Sequence, residues 1–294
     1  MRYPQHLLKG ALLVLLAELC MASMGALIKH LGQSLPNEML VFSRSFLGLL
    51  FFMPLLATWR NISFKTRVLK IHLVRSLSGI SAMYCYFYAL IHLPLADGML
   101  LKMTAPLFMP LIAGYWLKEG ISRYSFYALI IGFLGVLIVL HPGGDFNFVM
   151  LIGVLGGFFA AVAKVSIRRL SRTEPIYRTV FYFSLVGFLV SVIPVSIRYY
   201  LEPFSLNQTQ ILLLLAAAAV GTAGQFALTR GYAIANAGTI APFTYFSVIF
   251  GSLYGYFFWQ EIPAVSFFAG ALLIALAGLL TMKKPVQKVT GGVL

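Results

Sequence analysis

The chain has 294 residues, of which 60% are apolar and 10% charged, with a mean hydropathy of +0.90 and a formal net charge of +14. A soluble domain carries roughly 25% charged residues. The composition therefore excludes a soluble enzyme or nucleic-acid-binding domain and implies an integral membrane protein, in which the excess of cations has to be read as topology.

Apolar runs of about 20 residues predict ten spans: 10–28, 39–57, 71–91, 95–117, 124–140, 148–167, 179–197, 210–229, 237–259 and 263–282. Span 1 is too long and too polar at its centre for a secretory signal, no small-residue cleavage pattern follows it, and Glu18 stands midway along it. Arg44 falls in the outer half of span 2. The longest connection, Thr58 to Lys70, has only 13 residues, which leaves no room for an extramembrane domain. Span 3 carries Tyr84 and Tyr88 on one face at i, i+4, with Ser81 a turn earlier. Span 4 carries Lys102 in its outer half, then Thr104, Pro106 and Pro110. Arg75, Lys164 and Arg178 each lie within about six residues of a cytoplasmic helix end, close enough for their long side chains to snorkel to the interface. Span 8 contains the run Ala216 to Ala219 with Gly221, Gly224 and, in its inner half, Gln225. Span 9 contains Pro242 in its first third, then Tyr245, and the pair Gly251 and Gly255 at GxxxG spacing, which suits packing within the bundle better than a dimer seam.

The loops set the orientation. Arg60, Lys65, Arg67 and Lys70 follow span 2, Lys118 and Arg123 follow span 4, Arg168, Arg169 and Arg172 follow span 6, Arg230 follows span 8, and Lys283, Lys284 and Lys288 follow span 10. The alternate loops hold only Lys29 and Arg198, against Glu38, Asp97, Asp145, Glu202 and Glu261. By the positive-inside rule both termini are cytoplasmic, in a multi-pass plasma (bacterial inner) membrane protein. Trp59, Trp116 and Trp259 end their runs, at headgroup depth. Cys20 and Cys85 lie inside spans and the five histidines scatter over both faces, so neither a disulfide, a metal site nor a cofactor is expected.

Ionisable groups at membrane depth each cost about 2.5 to 3.5 kcal/mol on insertion scales, and they default to function. Glu18, Arg44 and Lys102 are the three such groups, and Glu18 is expected to pair with Lys102, Arg44 or both around a central cavity; a buried structural ion pair is the competing reading. A carboxylate released from its cation can bind and release protons, which makes Glu18 the candidate coupling residue. Lys102 and Arg44 would hold an anionic group of the cargo. Prolines at Pro106 and Pro110 in span 4 and at Pro242 in span 9 can break those helices. Paired breaks in corresponding helices point to a carrier's binding site, the competing reading being a packing kink. Tyr84, Tyr88, Thr104, Gln225 and Tyr245 supply aromatic and uncharged polar groups around those breaks, a lining suited to an amphipathic metabolite.

The second half repeats the first. A shift of 139 places Leu31 on Leu170, Pro36 on Pro175, Phe42 on Phe181, Ser45 on Ser184 and Gly48 on Gly187; Glu119 meets Glu261 at 142 and Tyr88 meets Tyr232 at 144. Five spans per unit force the second unit to enter the membrane the opposite way round, so the fold class is an all-α polytopic membrane protein of two inverted five-helix repeats. The repeats run over 1–142 and 146–284, with a cytoplasmic tail at 285–294.

Pro36 with Arg44 eight positions on, the Ala105-Pro106 stretch, the acidic residues Glu119 and Glu261 closing the fourth helix of each unit, and the glycine-spaced fifth helices with Gly132, Gly135, Gly270 and Gly278 resemble the EamA-type branch of the drug/metabolite transporter superfamily. The resemblance covers essentially the whole chain. It implies a ten-helix basket, a central cavity lined by helices 3, 4, 8 and 9, and alternating-access transport of small metabolites such as amino-acid, vitamin or nucleoside-like compounds. Glu18 belongs to no motif of that family, and its role rests on the physical argument alone. No nucleophile with a base stands at membrane depth, so an enzyme is not expected. A non-transporting scaffold or lipid scramblase is the alternative to a carrier. The expected partners are a small-molecule substrate and membrane lipid, with no nucleic acid, for a monomer or weak homodimer.

Overall fold

The computed structural model describes residues 7–58, 63–117, 123–140, 148–170, 173–234 and 241–282, and within them every regular element is helical. The expectations on Trp59, Arg60, Lys118, Glu119, Asp145, Arg172 and the tail 285–294 fall outside the described residues. The helices are α1 Leu7–Leu31, α2 Asn37–Thr58, α3 Leu69–His92, α4 Leu95–Lys102, α5 Ala105–Leu117, α6 Arg123–Leu140, α7 Phe148–Leu170, α8 Ile176–Leu201, α9 Gln208–Ile234, α10 Phe246–Trp259 and α11 Val265–Met282, with a 3-10 turn at Ala241–Tyr245 leading into α10. They make ten spans, because α4 and α5 are two pieces of one span and the 3-10 turn with α10 is another.

The ends of the helices follow from local chemistry. Asn207 and Gln210 form a reciprocal capping box at the start of α9, Gln210 N–H to Asn207 Oδ1 at 2.8 Å and Asn207 N–H to Gln210 Oε1 at 3.0 Å. Pro94 and Pro175 precede α4 and α8, where a missing N–H costs nothing. Gln260 closes α10 in the left-handed region, φ 56°, the one described non-glycine residue with positive φ.

The two halves interlock rather than sit side by side. α1 packs on α9 and α3 on α7, which are equivalent pairs under the repeat; α2 meets α8 and α6 meets α11, each a helix against its own counterpart. The α6–α11 contact is backbone-close: a Cβ on Gly135 would stand 2.9 Å from the Gly270 carbonyl oxygen. The GxxxG pair of α10 is also internal, since a Cβ on Gly251 would meet Met99 Sδ at 2.5 Å and one on Gly255 would meet Glu261 Oε2 at 2.8 Å. Large apolar residues such as Leu12, Leu50, Leu134, Ile193, Leu212 and Leu272 remain exposed along the outside of the bundle. On a membrane protein that is the lipid-facing surface.

Two ends can be told apart by their connections. One carries the turns α1–α2, α3–α4, α8–α9 and α10–α11; the other carries α2–α3 and α7–α8. Between them lies the break in span 4. It falls at Met103 and Thr104, not at the prolines themselves. Pro106 lacks the N–H that would bond the Lys102 carbonyl and its ring crowds that carbonyl, so the helix fails four residues upstream and restarts with Pro106 in the first turn of α5. The freed groups are met locally: Met103 N–H reaches Leu100 O at 2.8 Å, Thr104 N–H reaches Leu101 O at 3.1 Å, and Thr104 Oγ1 donates to the same carbonyl at 2.7 Å. Pro110 lies inside α5, which continues through it. In the second unit the change from 3-10 to α-helix at Tyr245 and Phe246 lies 142 residues beyond Met103 and Thr104, the shift that aligns the ends of these spans. Pro242 lies within the 3-10 turn.

Candidate functional site

Beside both breaks lies a group of charges at mid-membrane. Glu18, near the middle of α1, is 3% exposed, and its Oε2 has no hydrogen-bond partner. The cations acting on it are Lys102, the last residue of α4, and Lys164, from α7; Ser247, in the first turn of α10, also lies beside it, its hydroxyl donating to the Thr244 carbonyl at 3.0 Å. Lys102 Nζ stands 5.5 Å from the centre of the Tyr86 ring on α3, and Glu18 and Tyr86 are also within electrostatic range. Four spans from both units therefore converge on one carboxylate. No ion pair within 4.0 Å joins Glu18 to either lysine among the described residues, so the three charges face one another across a gap.

Lys164 stands six residues from the α7–α8 end of its helix, about 140° around it from Leu151. Its side chain has exposed surface, as has Ile167 one turn on, whereas Leu151, Leu155 and Phe158 are exposed on the other side of α7. Its ammonium is buried, within electrostatic range of Glu18 and Lys102.

The other anticipated residues are distributed around this group. Arg44 is not among the charges acting on Glu18. It folds back over its own helix toward Gly48, where a Cβ would meet Nη1 at 2.7 Å, and its Nε would be 3.1 Å from a Cβ on Gly221 of α9. Tyr84 is turned toward the start of α2, with its carbonyl accepting from Asn37 Nδ2 at 3.1 Å and its hydroxyl buried without a partner. Tyr88 stacks on His92 at 4.1 Å. Thr104 is fully buried, its hydroxyl engaged at the break. Gln225 is exposed on α9, and Tyr245 directs its hydroxyl to the Ile274 carbonyl of α11 at 3.4 Å. Tyr86 and Lys164 were not singled out as site residues from the sequence. Tyr86 lies two residues from both Tyr84 and Tyr88, about 200° round, so a choice between faces of α3 was needed; the lipid-facing stripe of α7 was the signal that could have found Lys164. Among the described residues no group of three or more His, Cys, Asp or Glu gathers as a metal site.

At the α1–α2 end the bundle is shut by a fully partnered pair. Lys29 Nζ contacts Glu261 Oε1 at 2.6 Å and the Leu93 carbonyl at 2.5 Å, and Glu261 Oε2 accepts from Leu95 N–H at 2.7 Å. The Trp259 ring covers the ammonium at 5.6 Å, and Asp97 lies within electrostatic range of both partners. This latch ties α1 to α10 and to the first turn of α4. At the opposite end Glu174 accepts from Thr66 Oγ1 at 2.8 Å and pairs with Arg178, whose guanidinium also donates to the Ser63 carbonyl at 2.7 and 3.0 Å, while Tyr182 Oη donates to Phe64 O at 2.9 Å. Burial pushes the Glu174 carboxyl up, but hydrogen bonds from Arg178 and Thr66 outweigh it and hold the group below its ordinary value.

Interlocked inverted repeats with interrupted helices in corresponding places are the build of a membrane transporter. The chain belongs to the EamA-like transporter family, which matches residues 8–141 and again 147–283. It is 34% identical over 270 residues to the pseudopaline exporter CntI of Pseudomonas aeruginosa, covering 91% of this chain and 94% of that one. It is 27% identical to a riboflavin transporter of Vibrio cholerae, covering 94% of each, and 27% identical to an S-adenosylmethionine uptake transporter of Rickettsia bellii, covering 88% and 89%. A solved crystal structure of 18% identity superposes with a TM-score of 0.61 over 92% of this chain and 95% of the other, a likeness of fold.

Proposed function

We propose that this protein is a secondary carrier that moves a small anionic or zwitterionic amphipathic metabolite by alternating access, with Lys102 and Lys164 holding the anionic group of the cargo and Glu18 coupling the cycle to protons. The observation that carries this reading is that Glu18 keeps a buried oxygen without a partner while neither neighbouring lysine closes on it to ion-pair distance. A structural ion pair closes to hydrogen-bond distance, as Lys29 and Glu261 do; a site that must accept a charged guest leaves room for it. One cation near the buried carboxylate would suffice to balance it, so the second lysine is available to a cargo carboxylate or phosphate. The relatives are named for metabolites, and they include both an exporter and uptake transporters.

With the basic loops on the cytoplasmic side, the α2–α3 and α7–α8 end faces the cytoplasm and the latch faces outward. The structure then corresponds to a state closed outside by the latch. Opening outward requires Glu261 to leave Lys29 and the Leu95 N–H, and the break at Met103 and Thr104 lets α4 move without α5. Arg44, Tyr84, Tyr88, Thr104, Gln225 and Tyr245 line or support the route in this reading, together with Tyr86.

The test is reconstitution in liposomes exposed to a mixed metabolite extract, with and without a pH gradient, followed by mass spectrometry of the lumen. The unmodified protein should concentrate a compound with a carboxylate or phosphate; Lys102→Gln and Lys164→Gln should fail to, and Glu18→Gln should lose the dependence on the gradient. Saturable flux absent from every version would remove the carrier reading in favour of a scaffold or scramblase.

A further inference from the structure

A second polar group lies well away from Glu18, in the seam where α3 meets α8 near the α2–α3 turn. His72 and Ser76 are both 0% exposed, and both ring nitrogens of His72 and the Ser76 hydroxyl lack a hydrogen-bond partner. Arg75, between them in sequence, has Nε and Nη1 buried and also without a partner. At i, i+3 and i+4 the three share one face of the first two turns of α3, and Arg75 and His72 lie within electrostatic range of each other. The guanidinium is not adrift. Its face lies against the Phe183 ring of α8 at 3.9 Å, and it leans over Gly79, where a Cβ would stand 2.8 Å from Nη1. Stacking by the face leaves the edge of the fork, where the N–H donors point, free to bind.

The surrounding chemistry says what is missing. The nearest carboxylate is Glu174, whose Oε2 is 3.9 Å from His72 Nε2, and it is already engaged by Thr66 and Arg178. No ion pair to Arg75 exists among the described residues. Guanidinium nitrogens buried without an acceptor are costly, and here Nε and Nη1 of Arg75 are accompanied by a buried hydroxyl without a partner and by an imidazole whose neighbouring acceptor, Glu174 at 3.9 Å, lies beyond hydrogen-bond length. All three residues can donate, and a phosphate group has the acceptor oxygens to meet them.

We infer that His72, Arg75 and Ser76 form a phosphate-binding site in the α3–α8 seam, separate from the central charges and independent of their proposed role. The phosphate can come from water, as a free anion, or from the bilayer, as the headgroup of an anionic lipid. Leu69, Leu73 and Leu77 present the adjoining face of α3, about 100° round, to the bilayer, so a headgroup would enter the seam from the lipid beside that face or from its end.

The experiment uses the purified full-length protein in detergent. Inorganic phosphate is titrated by equilibrium dialysis, and retention of short-chain phosphatidylglycerol is followed by native mass spectrometry. One equivalent of phosphate bound saturably assigns the aqueous source; one equivalent of phosphatidylglycerol with no phosphate assigns the lipid. Arg75→Gln should weaken binding by tenfold or more and Ser76→Ala by about threefold, while Lys102→Gln and Lys164→Gln leave it unchanged. Should Arg75→Gln not survive purification, Arg75→Lys, which keeps the charge and loses the fork, and Ser76→Ala read the same site. Neither probe binding saturably, or these variants binding as the parent does, overturns the inference.

Discussion

At the latch, Lys29 and Glu261 have satisfied each other. Each also has a backbone partner, and the ammonium has an aromatic cover. Eleven residues back along α1, about 16 Å, Glu18 is more deeply buried yet keeps an oxygen unpartnered beside two lysines that stay beyond ion-pair distance. The same three chemical groups thus make a closed structure in one place and an open one in the other. Burial alone does not distinguish a binding site from a strut; the state of the hydrogen-bonding account does. A closed pair can serve as a gate because its energy is released only by motion. An open set can serve a guest because the guest completes it.

The sharpest way to break this comparison is to remove one member from each region. Glu261→Gln leaves Lys29 buried without its counter-charge, and losing one partner of a buried pair costs about 3 kcal/mol. A marked fall in thermal midpoint of the detergent-solubilised protein is expected. Replacing both partners, Lys29→Met with Glu261→Leu, should recover much of it, because apolar residues of similar volume often substitute for a buried pair at little cost. If the double variant is as unstable as the single one, the latch is not a self-contained pair.

Lys164→Gln should behave in the opposite way. Its ammonium closes no ion pair among the described residues, so stability is expected to change by less than about 0.5 kcal/mol. Transport should fall about 10- to 100-fold, the equivalent of one charge-assisted hydrogen bond of roughly 1.5 to 3 kcal/mol. Initial rates in proteoliposomes against cargo concentration would show the loss chiefly in affinity. Full activity in Lys164→Gln would return Lys164 to the role of a snorkelling surface cation.

That last role is the one its place in the chain suggests, and the reason is instructive. Sequence position gives depth along a helix but not azimuth, and six residues from a helix end reads as interface when the facing direction is ignored. Apolar runs and charge asymmetry made the ten spans legible, and the repeat with its glycines and prolines made the two-fold architecture legible. Glu18 and Lys102 stood out because charge at that depth is costly wherever it points. The latch did not stand out, since Lys29 and Glu261 sit 232 residues apart at helix ends where charges are ordinary. Tyr86 was passed over for Tyr84 and Tyr88 for want of a facing direction. The break was located by its prolines, but a proline acts on the carbonyl four residues before it, so the discontinuity lies at Met103 and Thr104.

The break offers a smaller test. A Cβ on Gly157 of α7 would collide with Thr104 Oγ1, the hydroxyl that satisfies the Leu101 carbonyl, and would stand 3.2 Å from that carbonyl oxygen. Gly157→Ala should therefore cost about 1 to 3 kcal/mol from overpacking, offset by up to about 1 kcal/mol of helix propensity. Adding Thr104→Ala removes the collision. Thermal midpoints of the single and double variants would show whether Thr104 belongs to the scaffold of the break, like the latch, or to the open set.

The smallest effect expected is that of pH on the clamp at the α2–α3 and α7–α8 end, and its sign follows from Glu174. Burial raises that carboxyl, and the hydrogen bonds from Arg178 and Thr66 overcome it, so the folded-state value lies below the ordinary 4.5. A carboxylate depressed on folding contributes stability that is present above its unfolded value and lost as pH falls through the folded one. The contacts of Glu174 with Arg178 and Thr66 are therefore intact from pH 8 to pH 5 and weaken only in stronger acid. Glu174→Gln should flatten the acid limb of the stability profile without altering how transport depends on pH between 5 and 8. Any change in transport across that interval then has to come from a group other than the clamp, and Glu18→Gln is the variant that should abolish it. A Glu174→Gln protein whose transport loses its dependence on pH between 5 and 8 would move the coupling role from the open set around Glu18 to the closed set at the α2–α3 and α7–α8 end.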